Sequence, residues 1–305
     1  MRITEVVPDA MAGERVDRIL AMVTGLSRSE VAELVAAGAV SVNASPVTNR
    51  SERLSAGAVV EVEVPDRSEA ARLVPEPDVA FPVVHEDDDL LVIDKPAGLV
   101  VHPGAGQRRG TLVHGLLARY PEVATVGDPT RPGIVHRLDK GTSGLLLVAR
   151  TGVAYEALVR ALAARQVHRR YRALVWDHVE APRGLIDAPI GRSSREPTRM
   201  AVAERGREAR TRYEVLRRFE EPVPVTELAC ELETGRTHQI RVHLRSIGHP
   251  VVGDVRYDGA RQSLPLGRPF LHAEHLGLDH PVTGAALSFD AVLPTDLTDL
   301  LAALR

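Results

Sequence analysis

From Arg15 to Thr24 the apolar residues Val16, Ile19, Leu20 and Val23 fall on one stripe at helical spacing. A second stripe, Val31, Leu34 and Val35, follows Ser27, which is placed to cap its helix, and Gly38 supplies the stop. The period then changes. Val40 and Val42 alternate with polar residues, Asn43 to Pro46 reads as a turn, and Val60, Val62 and Val64 alternate again after the turn Ser55-Ala56-Gly57. Two helices and a small sheet are expected at this end of the chain. Between Pro65 and Pro82, prolines stand among charged and small residues, a composition that reads as a linker. Beyond it, Leu90 to Ile93, Leu145 to Ala149, Arg172 to Trp176 and Val225 to Leu232 read as strands, with helices near Tyr155 to Arg165 and Thr237 to Ile247. The fold class expected for this larger part is α+β, mixed, with an extended and mainly antiparallel sheet. No internal repeat or heptad array is present.

At 305 residues the chain has room for one large domain and a small one without disulfide staples. Its single cysteine, Cys230, lies in an apolar run and reads as a buried core thiol, which suits a reducing compartment. Met1 to Arg18 has neither the apolar stretch of a signal peptide nor the charge bias of a transit peptide. No apolar run approaches the roughly 18 residues of a membrane span. A cytoplasmic protein without a membrane partner is expected.

The formal charge of −3 argues against a uniformly basic nucleic-acid binder, yet the charge is unevenly spread. Glu61 to Asp89 holds ten acids against Arg67 and Arg72, a balance of −8, while Arg131 to Arg172 holds nine bases against Asp139 and Glu156, a balance of +7. A basic middle suits a phosphate-bearing ligand, although a solvated charged face would look similar. Lys95 and Lys140 are the only lysines. Where arginine serves almost everywhere else, these two positions suggest places that a planar guanidinium does not fit.

The most informative stretch runs from Gly133 to Arg150, where an apolar strand end, a polar loop with Gly141 and Gly144, and a second apolar strand place Asp139 on a braced loop. An isolated Asp-Lys-Gly would ordinarily be a turn whose aspartate bonds its own backbone. The whole string overturns that reading. His136-Arg-Leu-Asp-Lys-Gly-Thr-Ser-Gly144 closely resembles the catalytic loop of the RluA/RluD family of pseudouridine synthases. The resemblance continues through Leu91 to Pro103, Arg170 to Val175, Thr234 to Leu244, Gly248 to Asp254 and Leu271 to Ala273. The N-terminal stripes, with Arg15-Val-Asp-Arg18, Leu26-Ser-Arg-Ser29 and Val40-Ser-Val-Asn43, are similar to the alpha-L RNA-binding domain of the ribosomal protein S-four type. Its usual cationic positions hold Ala36, Ala37 and Ser45 here. The expected organisation is an alpha-L domain over 1–66, a linker over 67–81 and a synthase domain over 82–305.

The resemblance implies an enzyme that detaches uracil from ribose and rejoins it through carbon, most readily in large-subunit ribosomal RNA. It makes Asp139 the essential carboxylate, whether by adding to the base, capturing the sugar carbon or acting as a base at the ribose. Arg241 is implied as the cation that keeps Asp139 ionised, and Tyr171 as the ring over the everted uracil. Arg137 is implied as the residue that fills the vacated stack. His136, Arg236 and His238, with Arg15 and Arg28 in the N-terminal domain, are candidate RNA contacts. RNA is the expected partner, with no DNA, and the chain is expected to be a monomer.

No cofactor is expected, since isomerisation needs neither redox carrier nor energy donor. No metal is expected either: His238 and His243 are too far apart to share a helix face, and one cysteine cannot complete a zinc set. Two rival readings compete. A non-catalytic RNA binder that kept the fold is opposed by the intact Asp139, Tyr171 and Arg241. A two-carboxylate glycoside hydrolase built on Asp87, Asp88 and Asp89 is opposed by the scarcity of aromatic sugar platforms, with one tryptophan.

Overall fold

The computed structural model describes residues 2–26, 28–64, 73–104 and 106–305, with only the backbone at Ser29. The cap expected at Ser27 and the expected linker as far as residue 72 lie outside the described residues. The chain divides into two compact units, Met1–Arg72 and Leu73–Arg305.

The first unit holds β1 (Arg2–Val6), α1 (Val16–Thr24), α2 (Arg28–Ala36), β2 (Val40–Val42), β3 (Ser45–Pro46) and β4 (Val59–Glu63). Its sheet has the order β1-β4-β2-β3 with every pair antiparallel. The helical stripe read from the sequence is the buried one: Val16, Ile19 and Leu20 of α1 pack with Val31, Leu34 and Val35 of α2 against Val40, Val60 and Val62. Burial of this shared apolar surface joins the helices to the sheet. Gly25, at φ 68°, ends α1 in the left-handed conformation that a residue without Cβ adopts freely.

The second unit comprises β5 (Val83–Glu86), β6 (Leu90–Lys95), α3 (Leu112–Arg119), β7 (Ser143–Ala149), α4 (Gly152–Ala163), β8 (His168–Trp176), β9 (Arg183–Asp187), β10 (Ile190–Arg192), β11 (Met200–Val202), β12 (Arg210–Phe219), β13 (Val225–Leu232), α5 (Gln239–Ser246), β14 (Leu271–Asp279), β15 (Ala286–Asp290) and α6 (Thr295–Ala302). The main sheet runs β5-β6-β7-β14-β8-β13-β12-β9, with β15 also on β14. Its pairs are antiparallel except β14 with β7, which is parallel. Residues 73–81, expected to be linker, are packed on this unit: the Glu76 N–H donates to the His114 carbonyl at 2.9 Å, and Phe81 is buried.

Alternation along β6 and β7 feeds two cores. Leu91, Ile93, Leu146 and Val148 meet Leu112, Val113 and Leu116 of α3 in the larger one. Leu90, Val92, Leu145 and Leu147 meet Ala154 and Leu158 of α4 in the other. Both faces are covered there, which holds the ends of β6 and β7 rigid. No helix among the described residues is long and apolar enough to cross a membrane.

Candidate active site

Asp139 stands on the loop leading into β7, and its neighbours fix that loop from several sides. Leu138 is buried in the larger core. The Gly98 N–H donates to the Lys140 carbonyl at 2.7 Å, and the Thr142 N–H donates to the Asp139 carbonyl at 3.1 Å. Arg268 donates to the Gly141 carbonyl and the Ser143 hydroxyl, each at 3.2 Å, while Asp296 holds its other nitrogens at 2.6 and 2.8 Å. Gly144 is at φ +107°, and a Cβ there would meet the Ala273 carbonyl oxygen at 2.2 Å. Only glycine lets β7 approach β14 this closely.

Of the two lysines, Lys95 is fully buried, and its ammonium donates to the carbonyls of Pro96 (2.8 Å) and Leu99 (2.9 Å). A compact ammonium suits two carbonyls converging on one point better than a planar fork does. Burial pulls its pKa down to about 7, against the opposing pull of the Asp139 charge. Lys140 is exposed, and nothing in the structure explains lysine there.

Arg241 lies in the first turn of α5, only 7% exposed. It donates from Nη1 to Asp139 Oδ2 at 2.8 Å, and from Nε and Nη2 to the two oxygens of Asp254 at 2.6 and 2.8 Å. Its guanidinium carbon stands 4.9 Å from the Tyr257 ring centre. Burial works against its charge, but the Asp254 hydrogen bonds and the two carboxylate charges raise its pKa above the usual arginine range. Asp254 also accepts from the N–H groups of Arg256 (3.0 Å) and Tyr257 (3.2 Å). Asp254 anchors the guanidinium bidentately, so one nitrogen is left for Asp139.

The helix expected from Thr237 begins two residues later, at Gln239, and Thr237 does not cap it. His238, at φ 58°, precedes Gln239 without a side-chain cap. The Gln239 amide does the bracing instead: it accepts from the Thr234 hydroxyl (2.7 Å) and the Arg236 N–H (3.0 Å), and donates to the Arg210 carbonyl and Thr211 Oγ1 (3.0 Å each). The 234–238 segment therefore wraps around a buried amide, which turns His238 inward. Tyr257 Oη accepts from the Met200 N–H at 3.2 Å and is hydrogen-bonded to His238 Nδ1 at 2.7 Å. The other ring nitrogen, Nε2, faces Asp139 Oδ1 at 3.8 Å. Burial lowers the His238 pKa despite the Asp139 charge, keeping the ring neutral. Asp139 Oδ1 accepts no hydrogen bond among the described residues and is the oxygen left for chemistry.

Tyr171 is 5% exposed and lies inside β8; the strand begins at His168, not at Arg172 as expected. Burial raises its hydroxyl pKa, the Arg169 charge opposing this and the Asp139 charge adding to it. With Asp139, Arg241, Arg137, His238 and Leu232 it lines a recess of about 50 Å³, which adjoins a cleft of about 750 Å³ that Asp139 and Tyr171 also line. Arg137 is exposed, its Nη1 donating to His102 Nε2 at 2.9 Å. Arg236, half-buried, donates to the Glu208 carbonyl at 2.9 Å. His136 faces inward, its Nε2 accepting from the Leu147 N–H at 3.0 Å. Arg15 and Arg28 belong to the first unit. Arg15 makes two bonds to Asp17, at 3.0 and 2.8 Å, and Arg28 is exposed at the start of α2.

Asp254 and Tyr257 do not stand out in the sequence, although Asp254 closes the Gly248 to Asp254 string. Among the described residues Asp87, Asp89 and His280 group closely enough to hold a metal ion. His280 Nδ1 accepts the N–H groups of Val282 (3.2 Å) and Thr283 (3.1 Å), so its Nε2 keeps a proton and faces Asp87 at 3.3 Å. That geometry is a hydrogen-bonded cluster rather than a ligand set.

Residues 89–246 match the RNA pseudouridylate synthase family, and residues 14–60 match the S4 domain. The chain is 43% identical, over 96% of its length and 94% of the relative's, to the RNA pseudouridine synthase YlyB of Bacillus subtilis. It is 45% identical to the ribosomal large subunit pseudouridine synthase D of Xanthomonas campestris, covering 98% of this chain and 92% of that one. In structure it is similar to human RNA pseudouridylate synthase domain containing 1, with a TM-score of 0.59, 29% identity, and coverage of 75% of this chain and 90% of that one.

Proposed function

This chain belongs to the RNA pseudouridylate synthase family, and we propose that its substrate is large-subunit ribosomal RNA and that Asp139, Arg241 and Tyr171 carry the reaction. The observation that carries this reading is the 2.8 Å bond from Arg241 to Asp139 Oδ2, which leaves Oδ1 without a donor among the described residues, inside the cleft. A uridine everted into the cleft strips water from the carboxylate, and a carboxylate without water needs a fixed cation to stay ionised. Arg241 is that cation, itself fixed by Asp254.

The isomerisation conserves every atom. The bond from N1 to C1′ breaks, the bond from C5 to C1′ forms, and the proton on C5 is lost while N1 gains one. Asp139 supplies the negative oxygen that deprotonates, captures or stabilises the separated fragment while the base turns. Tyr171, buried beside it, covers the base and holds it in the recess. Eversion costs a few kcal/mol, and the exposed guanidinium of Arg137 is suited to occupy the gap left in the stack. The relatives named for the large ribosomal subunit support that choice of substrate. The single buried cysteine, whose thiol burial pushes up to about 12, supports a reducing cytoplasmic location.

Incubation with uridine-labelled large-subunit transcript should yield a carbon-linked nucleoside at a position that sequencing-based mapping then identifies. Asp139→Asn should fold with an unchanged melting curve and make none. Turnover by that variant would remove Asp139 from the role. Tight RNA binding by the unaltered protein with no new nucleoside would instead mark a binding protein that kept the fold.

A further inference from the structure

Several arginines on and around β8 and β12 are matched to carboxylates, and Arg218 of β12 is satisfied by the Val179 and Glu180 carbonyls. Arg170 pairs with Glu274 at 2.8 Å, Arg172 with Glu227 at 2.8 Å and Glu274 at 2.9 Å, Arg212 with Glu233 at 2.8 Å, and Arg165 with Glu208 at 2.6 Å. Arg169 is different. Only 8% exposed, it has no carboxylate within 4 Å among the described residues, its buried Nε has no hydrogen-bond partner, and Nη2 makes one long bond, 3.4 Å, to the Leu232 carbonyl. It sits one residue before Arg170 and so on the opposite face of the strand, lining the same cleft as Asp139 and Tyr171.

Two neighbours reinforce this. A Cβ at Gly235 would lie 3.0 Å from Arg169 Nη1, so the glycine leaves the room that the guanidinium occupies. His136 lines the cleft as well. Because its Nε2 accepts the Leu147 N–H, its proton is on Nδ1, and that buried donor has no acceptor. Burial, and then the Arg169 charge, push this imidazole down to about 3, so it remains a neutral donor. Buried donors rarely stay unpaired in folded proteins. The side chains that carry them, one cationic, line one cleft, and the pair calls for an acceptor that arrives from outside and carries negative charge.

We propose that Arg169, with the His136 Nδ1–H beside the same cleft, is the seat of a backbone phosphate flanking the target uridine. This inference rests on RNA being the substrate, as proposed above. A phosphodiester supplies the charge and the oxygens that the protein withholds, and the seat fills only when the nucleotide enters the cleft. The free enzyme then carries an unmatched buried cation, which the RNA relieves.

The test uses the full chain and a short RNA holding the mapped uridine, with one linkage on either side replaced in turn by an uncharged methylphosphonate. Dissociation constants are measured in the Asp139→Asn background so that no product forms. Neutralising one of the two linkages should weaken binding about tenfold or more, the loss of one charge-assisted bond. Arg169→Met should weaken binding of the natural RNA by a similar factor, lower the salt dependence by about one charge, and lose nothing further with the neutral RNA. Without RNA, Arg169→Met should resist denaturant better than its parent, because an unmatched buried charge has gone. Factors that multiply between variant and neutral linkage would overturn the proposal, as would a wild-type affinity indifferent to both linkages. Should Arg169→Met not fold, the neutral linkages alone decide the matter. Product formation by the unaltered protein, followed separately, keeps a failure of this seat distinct from a failure of the enzymatic reading.

Discussion

Arg241 serves two carboxylates unequally, and the inequality matters. Asp254 takes two of its nitrogens and is itself held by two backbone N–H groups, whereas Asp139 takes one nitrogen and keeps an oxygen free. Asp254→Asn leaves the shape of that anchor but removes a buried charge, so Arg241 is no longer fixed against Asp139. Breaking a buried pair costs about 3–5 kcal/mol. The expected outcome is a loss of that order in denaturant unfolding, together with a fall in the single-turnover rate that saturating RNA does not restore. Normal turnover would detach Asp254 from the site. His136 makes a second, pH-dependent prediction. Its pKa is about 3 in the folded protein, where burial and then Arg169 depress it, and near 6.5 when unfolded. Between those values the unfolded chain binds the extra proton, so this group lowers stability as pH falls from 6.5 towards 3, by at most about 1.4 kcal/mol per pH unit. His136→Gln lacks the term. Unfolding titrations at pH 7, 6, 5 and 4 should show the wild type losing ground to the variant stepwise; a constant difference would mean that the ring is protonated in the fold.

The loop carrying Asp139 works because strands on either side of it cannot move. Gly144→Ala tests that directly. A Cβ 2.2 Å from the Ala273 carbonyl oxygen, at φ +107°, must push β7 away from β14, at a cost of at least the roughly 1–3 kcal/mol typical of overpacking. Both a lower melting temperature and a reduced turnover rate are expected, although no reacting group is altered; full activity in the destabilised protein would show that the loop does not depend on this junction. The loop was legible in the sequence because its special residues are contiguous: two glycines, a buried leucine, an aspartate and a histidine within one string. The active site as a whole was less so. Asp254 and Tyr257 reach Arg241 from a separate segment, and spacing says nothing about which carboxylate turns inward. Polar strands were the hardest to see. β12 carries Arg210, Arg212, Glu214, Arg217 and Arg218, with Arg212 and Arg210 neutralised by Glu233 on the chain just beyond the neighbouring strand. Ion pairs there replace the apolar alternation that marks a strand. The start of α5 was misplaced for a related reason, since a glutamine folded back inside the helix start does what a capping threonine would have done.

The two compact units have separate apolar cores, and the residues proposed to carry the reaction, Asp139, Tyr171 and Arg241, belong to the second, as does Asp254. The first unit offers an S4 domain with the exposed Arg28 and with Arg15, whose charge Asp17 partly consumes. In the proposed reading, such a unit adds cations for the RNA backbone and no reacting group. Removal of residues 1–72 should therefore leave a folded protein with a cooperative unfolding transition, because no core is cut. Its single-turnover rate on saturating RNA should stay within a few-fold of the whole chain. The half-saturating RNA concentration should rise, and the salt dependence of binding should fall by about one charge for each phosphate that the truncated protein no longer neutralises. Affinity and its salt slope must change together, since both count the same phosphates. A truncated enzyme that is folded and binds RNA as the whole chain does, yet forms no pseudouridine, would contradict this division, because it would place a requirement of the chemistry in a unit that supplies none of the reacting side chains.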